Sequence, residues 1–520
     1  MSASGQIRWQ ESHQTRTVAM NVGGRYVTLA VELGLGLVML PFNARHLGAS
    51  EYGLWMLAAS IVAYFPVLDL GYGAAMERFV AHHRAQRDGE AINEIASTLV
   101  FVFSLIGLAA FAVMVVIALN LGRMFDLPPA QARSGALVLL CVAAQFSVGL
   151  PFAIFGAIVN GFQRTYRNAV VGSTVAIAVA IVNVSVLASG GTLVQLVAAM
   201  MLARMAGYAA YRLNAYHVFP MLRIRPSLFS KARLHDISRF SVYMLVQDAS
   251  VKLNYATDPI VIAAALSTGA VAIWTVAQRL ADIVLQMTNQ LNYVMFPIVV
   301  DCDTAQRHDR LQELLVQGTR LSIATTVPVA GALAILARPV VLGWTGHEFV
   351  AAATILQILA AVVLVRVGSW TASTVLAGAG HHRLLAISNI IGATINVGLS
   401  IWFIRLWGLP GVAIATLIPV SIRAAGIIIP VACRRVGMSL PRFARTAVWP
   451  AVWPACITLG ALMTVRQAGA GSLGRGVLLG GIFGLLYAAL FLGVAISRTD
   501  RERYLGKLRS IARNPMLEAA

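Results

Sequence analysis

Charged residues are scarce in this chain of 520 residues, in which Asp, Glu, Lys and Arg make up only 12% of positions while 58% are hydrophobic. A soluble chain is about 25% charged and about half apolar. The composition therefore excludes two or three globular domains in water. A polytopic membrane protein fits, because a helix needs roughly 20 apolar residues to cross the hydrocarbon of a bilayer.

Several chemical motifs are missing as well. The four cysteines are scattered, with no C-x-x-C and no neighbouring His at ligand spacing, which argues against a disulfide framework or a zinc site. There is no GxxxxGK[ST] loop for ATP. The predicted outer loops are short, the longest lying near 122–131, and leave little protein for a catalytic site. We therefore expect no metal, no cofactor and no enzymatic activity.

Acidic residues number 21 against 40 Lys and Arg, giving a formal net charge of +19. With the N-terminus inside, the inner loops and tails hold about 27 of the basic residues and the outer loops about seven. Both termini are thus predicted to be cytoplasmic, and the excess charge requires no nucleic acid partner. The most basic inner segments (212–239, 434–445 and 498–513) are expected to contact anionic headgroups of membrane lipids.

Apolar stretches bounded by Arg, Pro and Gly predict about fourteen membrane spans. The predicted fold is all-α, with two pseudo-symmetric six-helix lobes around a central cavity and two extra C-terminal helices. In order, the segments are a cytoplasmic tail at 1–19, the N-lobe with helices 1–6 at 20–216, a cytoplasmic linker at 217–238, the C-lobe with helices 7–12 at 239–433, helices 13 and 14 at 434–497, and a cytoplasmic tail at 498–520.

A weak internal repeat supports the two lobes. The stretch 47–55 matches 266–274, and 161–164 matches 380–383, both at an offset of 219 residues. An even number of spans per unit makes such a repeat parallel. Transporters that move two bundles about a central site have this pseudo-symmetry.

Basic residues at membrane depth are costly and mark candidate binding sites. The candidates for a cationic, substrate-binding cavity are Arg25, Lys252, Arg279, Arg366 and Arg423. Guanidinium groups bind phosphate in bidentate fashion, so these residues favour a phosphate or pyrophosphate cargo. Structural roles stay open for Arg25, which could snorkel to the inner surface, and for pairs such as Asp248 with Lys252 and Arg279 with Asp282.

Three carboxylates at membrane depth, Asp69, Asp248 and Asp258, are candidates for H⁺ or Na⁺ coupling. Asp258 precedes the helix-breaking Pro259 and has no basic residue one helical turn away. Four aromatic residues are candidates for stacking on sugar rings, although packing or an interfacial belt would explain them equally: Trp55, Tyr72, Trp274 and Trp370.

The motifs together resemble a known family. The stretch 47–55 (LGASEYGLW), running on through Asp69-Leu70-Gly71, is similar to the start of bacterial oligosaccharide flippases, the Wzx-type polysaccharide exporters. Further matches are DPIVI at 258–262, AQRL at 277–280, GAG at 378–380 leading to Arg383 and Asn396, and GLPGVAIAT at 408–416. The similar region covers most of 20–431. The superfamily also includes lipid II flippases and multidrug extruders.

The resemblance implies two helical lobes around a cationic cavity and alternating access. The cargo would be an undecaprenyl-pyrophosphate-linked oligosaccharide, moved across the bacterial inner membrane for O-antigen, capsule or exopolysaccharide synthesis. Partners would include a polysaccharide polymerase and chain-length or export machinery. It also implies that Arg279, in the A-x-R-L signature, engages the headgroup and that Asp258 is the carboxylate of the seventh span.

Other functions remain open at this point. A lipid II flippase fits the same span count, and a multidrug or cation antiporter of the same fold fits less well because the last two helices are extra. A membrane polysaccharide polymerase or ligase would share the composition but would need a sizeable outer loop.

Overall fold

The computed structural model describes residues 14–65, 72–237, 257–466, 473–496 and 501–502. Every regular element within these ranges is helical, which confirms the predicted all-α class. Twelve helices of the described residues are long and apolar enough to cross a membrane, as expected of a multi-pass membrane protein. The predicted second and seventh spans include 66–71 and 238–256, which lie outside the described residues.

Most of the described helices follow one another with short connections, and a further helical segment at 231–237 lies after α6. The first six are α1 (Gln14–Val62), α2 (Tyr72–Ala85), α3 (Gly89–Met124), α4 (Pro129–Gly161), α5 (Thr165–Ala188) and α6 (Leu193–Val218). The next six are α7 (257–265), α8 (Thr268–Thr304), α9 (His308–Ile335), α10 (Ala337–Thr345), α11 (Ala352–Gly378) and α12 (His382–Trp407). The last three are α13 (Leu409–Arg435), α14 (Leu440–Val465) and α15 (Leu473–Ala495).

Local sequence sets several helix ends. Asp88 accepts a hydrogen bond from the backbone N–H of Ala91 and caps α3, and Thr192 forms a capping box with Gln195 at the start of α6. Ser267 caps α8 in the same way. These side chains satisfy N–H groups that have no partner inside their own helix.

The first of two compact units comprises the described residues of Met1–Met39 and Ala58–Lys252. Its core contains fully buried side chains of α3 and α4, including Ile92, Leu99 and Ile158, together with Phe219 after α6. Gly107 of α3 lies against the backbone of Ser147 in α4, where a Cβ would be 2.5 Å from the Ser147 carbonyl oxygen. The absence of a side chain permits this close approach.

The second unit comprises the described residues of Leu40–Leu57 and Leu253–Leu508, so that part of α1 packs with the C-terminal helices. Gly48 adopts φ +70° and kinks α1. Beyond this kink, a Cβ on Gly53 would overlap the Thr268 carbonyl and lie 3.3 Å from the Ala272 nitrogen. Gly53 and Ala272 are equivalent positions in the predicted repeat.

Polar contacts hold the same part of α1 in place. Arg45 donates from Nη2 to the carbonyls of Gly343 and Trp344, each at 3.0 Å, near the end of α10. The backbone N–H of Ala49 donates to Glu348 at 2.8 Å. A cation at a helix C-terminus is favourable because the carbonyls there carry partial negative charge.

The last three helices each contain a π-helical turn, at Ala424–Ile428, Ala444–Val448 and Phe491–Ala495. In such turns the backbone hydrogen bonds run from i to i+5 instead of i to i+4. Buried Arg320 of α9 donates to the Thr446 carbonyl in the second of these turns, from Nε at 3.1 Å and from Nη2 at 2.7 Å. This interaction joins α14 to α9.

Replacement of Gly107 by Ala is expected to destabilise the first unit by about 1–3 kcal/mol, because the backbone of α4 must shift to admit the methyl group. Thermal unfolding of the purified protein in detergent measures the effect. Gly460→Ala is the matched control, since nothing lies within 4 Å of a Cβ at that helical position. An equal fall in melting temperature for both variants would contradict the close α3–α4 contact.

Candidate functional site

A small cavity of about 30 Å³ lies within the second unit, between α7, α8, α11 and α13. Five aliphatic side chains from α8 and α11 line part of it. Its polar and aromatic lining consists of Asp258, Trp274, Gln278, Asp282, Arg366 and Thr416. The sequence-predicted residues Asp258, Trp274 and Arg366 are therefore brought together, although 108 positions separate the first from the last.

Arg366 provides the positive charge of this cavity. It interacts electrostatically with Asp258 from α7 and with Asp282 from α8. Because a charge buried without a partner is costly, the two carboxylates stabilise the guanidinium at membrane depth. Arg366 thus lies within electrostatic range of two acidic groups as well as lining the cavity.

A chain of hydrogen-bonding side chains leads away from Asp258. The carboxylate, only 4% exposed, is hydrogen-bonded to Ser400 of α12. Ser400 Oγ also donates to Asn396 Oδ1 at 3.3 Å, and Thr416 Oγ1 of α13 donates to the same oxygen at 3.3 Å. A hydroxyl has one hydrogen, so Ser400 can donate either to Asp258 or to Asn396, but not to both at once.

Protonation of Asp258, or a cation bound to it, would therefore change the direction of this chain. An ionised Asp258 attracts the Ser400 hydrogen, whereas a protonated Asp258 can donate to Ser400 and leave that hydrogen for Asn396. Oxygen atoms of Asp258, Asn396, Ser400 and Thr416 are also the ligand type that hard cations prefer.

Trp274 forms an aromatic wall of the cavity and is only 1% exposed. Its Nε1 donates to Gln278 Oε1 at 3.0 Å, one turn further along α8. This hydrogen bond fixes the indole ring and leaves the Gln278 amide nitrogen available for other acceptors.

Arg279, the next residue of α8, is half-buried. It interacts electrostatically with Asp282 one turn away, the pair expected from the sequence, and with buried Tyr52 of α1. Tyr52 makes an edge-on contact with Trp55, with ring centroids 6.2 Å apart. Arg279 and Trp55 therefore belong to one polar and aromatic cluster on the second unit.

The other predicted residues of the second unit lie elsewhere. Half-buried Trp370 is one turn beyond Arg366 on α11. Arg423 of α13 donates from Nη1 to Asn389 Oδ1 of α12 at 2.7 Å and does not line the cavity. Their proposed contacts with substrate stay predictions.

Arg25 and Tyr72 belong to the first unit. Arg25 is exposed on α1. Tyr72 is buried and contacts the ring of Phe103 with centroids 6.0 Å apart, so it packs in the core there. Three further candidates, Asp69, Asp248 and Lys252, lie outside the described residues.

Sequence reasoning did not select several residues of the site. Gln278, Asn396 and Thr416 stand inside or beside motifs that carry the family resemblance, so their positions contained a usable signal. Ser400 lies one helical turn after Asn396, which places the two on one face of α12. Asp282 was weighed only as the local partner of Arg279, and its interaction with Arg366 depends on tertiary packing.

The amino-acid sequence is similar to those of known proteins. A family model described as "Polysaccharide biosynthesis protein" matches residues 23–302. The "Uncharacterized membrane protein EpsK" of Bacillus subtilis (strain 168) is 21% identical over 388 residues, covering 74% of this chain and 76% of that protein.

Solved structures resemble the fold. The structure titled "Lipid II flippase MurJ, inward closed conformation" aligns with a TM-score of 0.71 at 16% identity, covering 90% of this chain and 98% of its own. An inward-facing multidrug resistance MATE family transporter of the MOP superfamily aligns with a TM-score of 0.61 at 17% identity, covering 77% and 98%. At these identities the likeness concerns the fold.

Replacement of Arg366 by Leu is expected to lower the free energy of unfolding by about 2 kcal/mol or more, because two carboxylates lose their shared cation. Melting temperature in detergent measures the change. Arg383→Leu, at an exposed position, is the control and should leave it nearly unchanged. Equal stability of the Arg366→Leu protein and the wild type would contradict a stabilising interaction of Arg366 with Asp258 and Asp282.

Proposed function

This chain belongs to the polysaccharide biosynthesis protein family, and from that premise we propose that it is a flippase for an undecaprenyl-pyrophosphate-linked oligosaccharide repeat unit. The matched region, 23–302, includes the motifs at 47–55, 258–262 and 277–280 that carry the resemblance. The flippase would serve synthesis of a surface polysaccharide: O-antigen, capsule or exopolysaccharide.

The observation that carries this proposal is the presence of basic residues at membrane depth in a family of polysaccharide biosynthesis proteins. Arg279 and Arg366 lie on spanning helices, and each has acidic neighbours that keep its charge stable. A pyrophosphate group would compete with these carboxylates for the hydrogen bonds that the guanidinium groups donate. The oligosaccharide would occupy a polar cavity while the polyprenyl chain stays in lipid.

We further propose fourteen spans in two six-helix lobes with two additional C-terminal helices, in the bacterial inner membrane, with both termini cytoplasmic. Alternating access would move the cargo from the inner to the outer leaflet without covalent chemistry. Arg25, Lys252 and Arg423 stay candidates for contact with the headgroup, and Trp55, Trp274 and Trp370 for stacking on sugars, whereas buried Tyr72 packs against Phe103. A polymerase and chain-length machinery would receive the product.

Ion coupling is proposed at Asp258, with Asp69 and Asp248 as further candidates. A proton or Na⁺ on Asp258 would cancel its attraction for Arg366 and release the Ser400 hydrogen to Asn396. Arg366 would then be freer to bind an anionic headgroup. A ligand drives a conformational change only when it binds two states with different affinity, and this exchange of partners supplies such a difference.

The likeness to a lipid II flippase supports the fold but does not select the substrate, because 16% of positions are identical. Lipid II also carries a polyprenyl pyrophosphate, so the same cationic residues would suit it. The two cargoes differ in their sugars and are separated by which precursor accumulates when the protein is lost.

Depletion of this protein in its native host is expected to trap lipid-linked repeat units on the cytoplasmic leaflet. Wild-type protein should restore export. Arg279→Ala should reduce export at least about tenfold, since a hydrogen bond to a charged group contributes about 1.5–3 kcal/mol. Accessibility of the lipid-linked units to an added glycosidase, before and after permeabilisation, measures the leaflet.

Arg307→Ala is the matched control, because Arg307 is exposed between α8 and α9. Normal export by Arg279→Ala would remove that residue from the substrate site. Repeat units trapped on the outer leaflet would indicate a polymerase or ligase, accumulated lipid II would indicate the peptidoglycan pathway, and unchanged precursors would favour a drug extruder.

Flipping by the protein in reconstituted vesicles is expected to depend on a proton or Na⁺ gradient, and Asp258→Asn should abolish that dependence. Protonophore and Na⁺ ionophore, added separately, identify the ion. Asp301→Asn, at an exposed position, is the control and should keep the dependence. Flipping that continues unchanged after each gradient is collapsed would reject ion coupling.

A further inference from the structure

The connection after α6 is bound tightly to the first turns of α3, and we call residues 221–233 together with the start of α3 the linker platform. Asn93 Nδ2 donates to the Met221 carbonyl at 3.0 Å, and Asn93 Oδ1 accepts from the Arg223 N–H at 2.9 Å. Ser97 Oγ donates to the Arg223 carbonyl at 3.3 Å and accepts from the Arg225 N–H at 3.2 Å. Asn93 and Ser97, one helical turn apart, thus hydrogen-bond to the backbone groups of Met221, Arg223 and Arg225.

The far end of the segment is also held. Thr98 Oγ1 accepts from the Ser230 N–H at 3.0 Å, and Arg233 Nε forms an ion pair with Glu94 at 3.1 Å. Asn93, Ser97 and Thr98 are all buried beneath the segment. These contacts use backbone atoms of 221–230, and the side chains of Arg223 and Arg225 are exposed beside them.

An apolar tip lies between the two ends. Phe229 makes an edge-on contact with Phe101 of α3, with ring centroids 5.3 Å apart. Phe101 is 53% exposed on a spanning helix and therefore faces lipid in the membrane. It follows Glu94, which precedes a long uncharged stretch of α3, by seven residues or about 10 Å. Phe229 consequently lies near the inner boundary of the hydrocarbon.

Basic side chains stand on both sides of this tip. Arg223, Arg225 and Lys231 are all exposed and lie within six residues of Phe229. Positive charge beside an inserted aromatic ring is the combination that binds the anionic surface of the cytoplasmic leaflet. Arginine additionally matches a phosphate with two parallel hydrogen bonds.

We propose that the linker platform is a binding site for an anionic phospholipid of the inner leaflet. Arg223, Arg225 and Lys231 would hold the phosphate, and Phe101 with Phe229 would contact the acyl chains. A soluble anion would need only the basic residues. The continuity of the apolar tip with the lipid-facing side of α3 favours a lipid as the occupant.

The test titrates full-length protein in detergent with phosphatidylglycerol and, separately, with phosphatidylcholine, and counts bound lipid by native mass spectrometry. Wild-type protein should bind phosphatidylglycerol more tightly than phosphatidylcholine. The triple variant Arg223→Gln/Arg225→Gln/Lys231→Gln should weaken phosphatidylglycerol binding at least about tenfold, since each basic residue near an anionic headgroup contributes about fivefold. Its melting temperature should match the wild type, because the backbone contacts remain.

The matched control removes the same charge from exposed residues on two other predicted inner loops, as Arg307→Gln/Arg310→Gln/Arg383→Gln, and should keep the affinity within about twofold. Phe229→Ser should weaken binding of phosphatidylglycerol several-fold without any change in charge. Equal loss in both triple variants would overturn the proposal, as would equal binding of the two lipids by the wild type.

Inorganic pyrophosphate distinguishes a lipid from a soluble anion. Two results together would show a site for soluble anions and reject the lipid proposal. Pyrophosphate would displace phosphatidylglycerol completely, and the Phe229→Ser variant would bind phosphatidylglycerol as tightly as the wild type does. All of these readouts concern lipid binding and are independent of whether the protein is a flippase.

Discussion

Hydrocarbon offers no hydrogen-bond partners, and this one constraint governs the molecule. Every spanning segment must pair its own backbone groups, so the described spans are helices and their side chains alone carry chemistry. In the π-turn of α14 a side chain from another helix also takes part, since Arg320 donates to the Thr446 carbonyl.

The same constraint explains the arrangement around Arg366. A guanidinium at membrane depth persists only beside compensating charge, and Asp258 and Asp282 provide it from two other helices. In the proposed flippase, a cation or proton on Asp258, or an anionic headgroup on Arg366, would alter this compensation. The proposed transport and the stability of this part of the second unit would then depend on the same three side chains.

Close packing sets a second requirement that the glycines meet. Gly107 brings α3 against α4, and Gly53 brings the kinked part of α1 against the start of α8. In the second case the two segments are those matched by the predicted repeat, and its equivalent positions, Gly53 and Ala272, lie against each other. Small residues at such crossings allow backbones to approach when lipid provides no hydrophobic drive for helices to associate.

Much of the architecture was predictable because its signals are local. Scarce charge, apolar runs and the motifs at 47–55 and 277–280 indicate a multi-pass helical protein of the polysaccharide biosynthesis family, and Asp258, Trp274 and Arg366 were recognisable as polar or aromatic residues at membrane depth. The cap residues Asp88, Thr192 and Ser267 likewise act within a few positions of themselves.

The sequence by itself determined which residues would be costly in lipid, since that cost depends on each side chain and its depth. Only the tertiary structure decided which of them meet. The rotation of each helix is set by packing against all its neighbours, so no spacing along the chain reveals that Ser400 reaches Asp258 or that Asn93 and Ser97 bind the connection after α6.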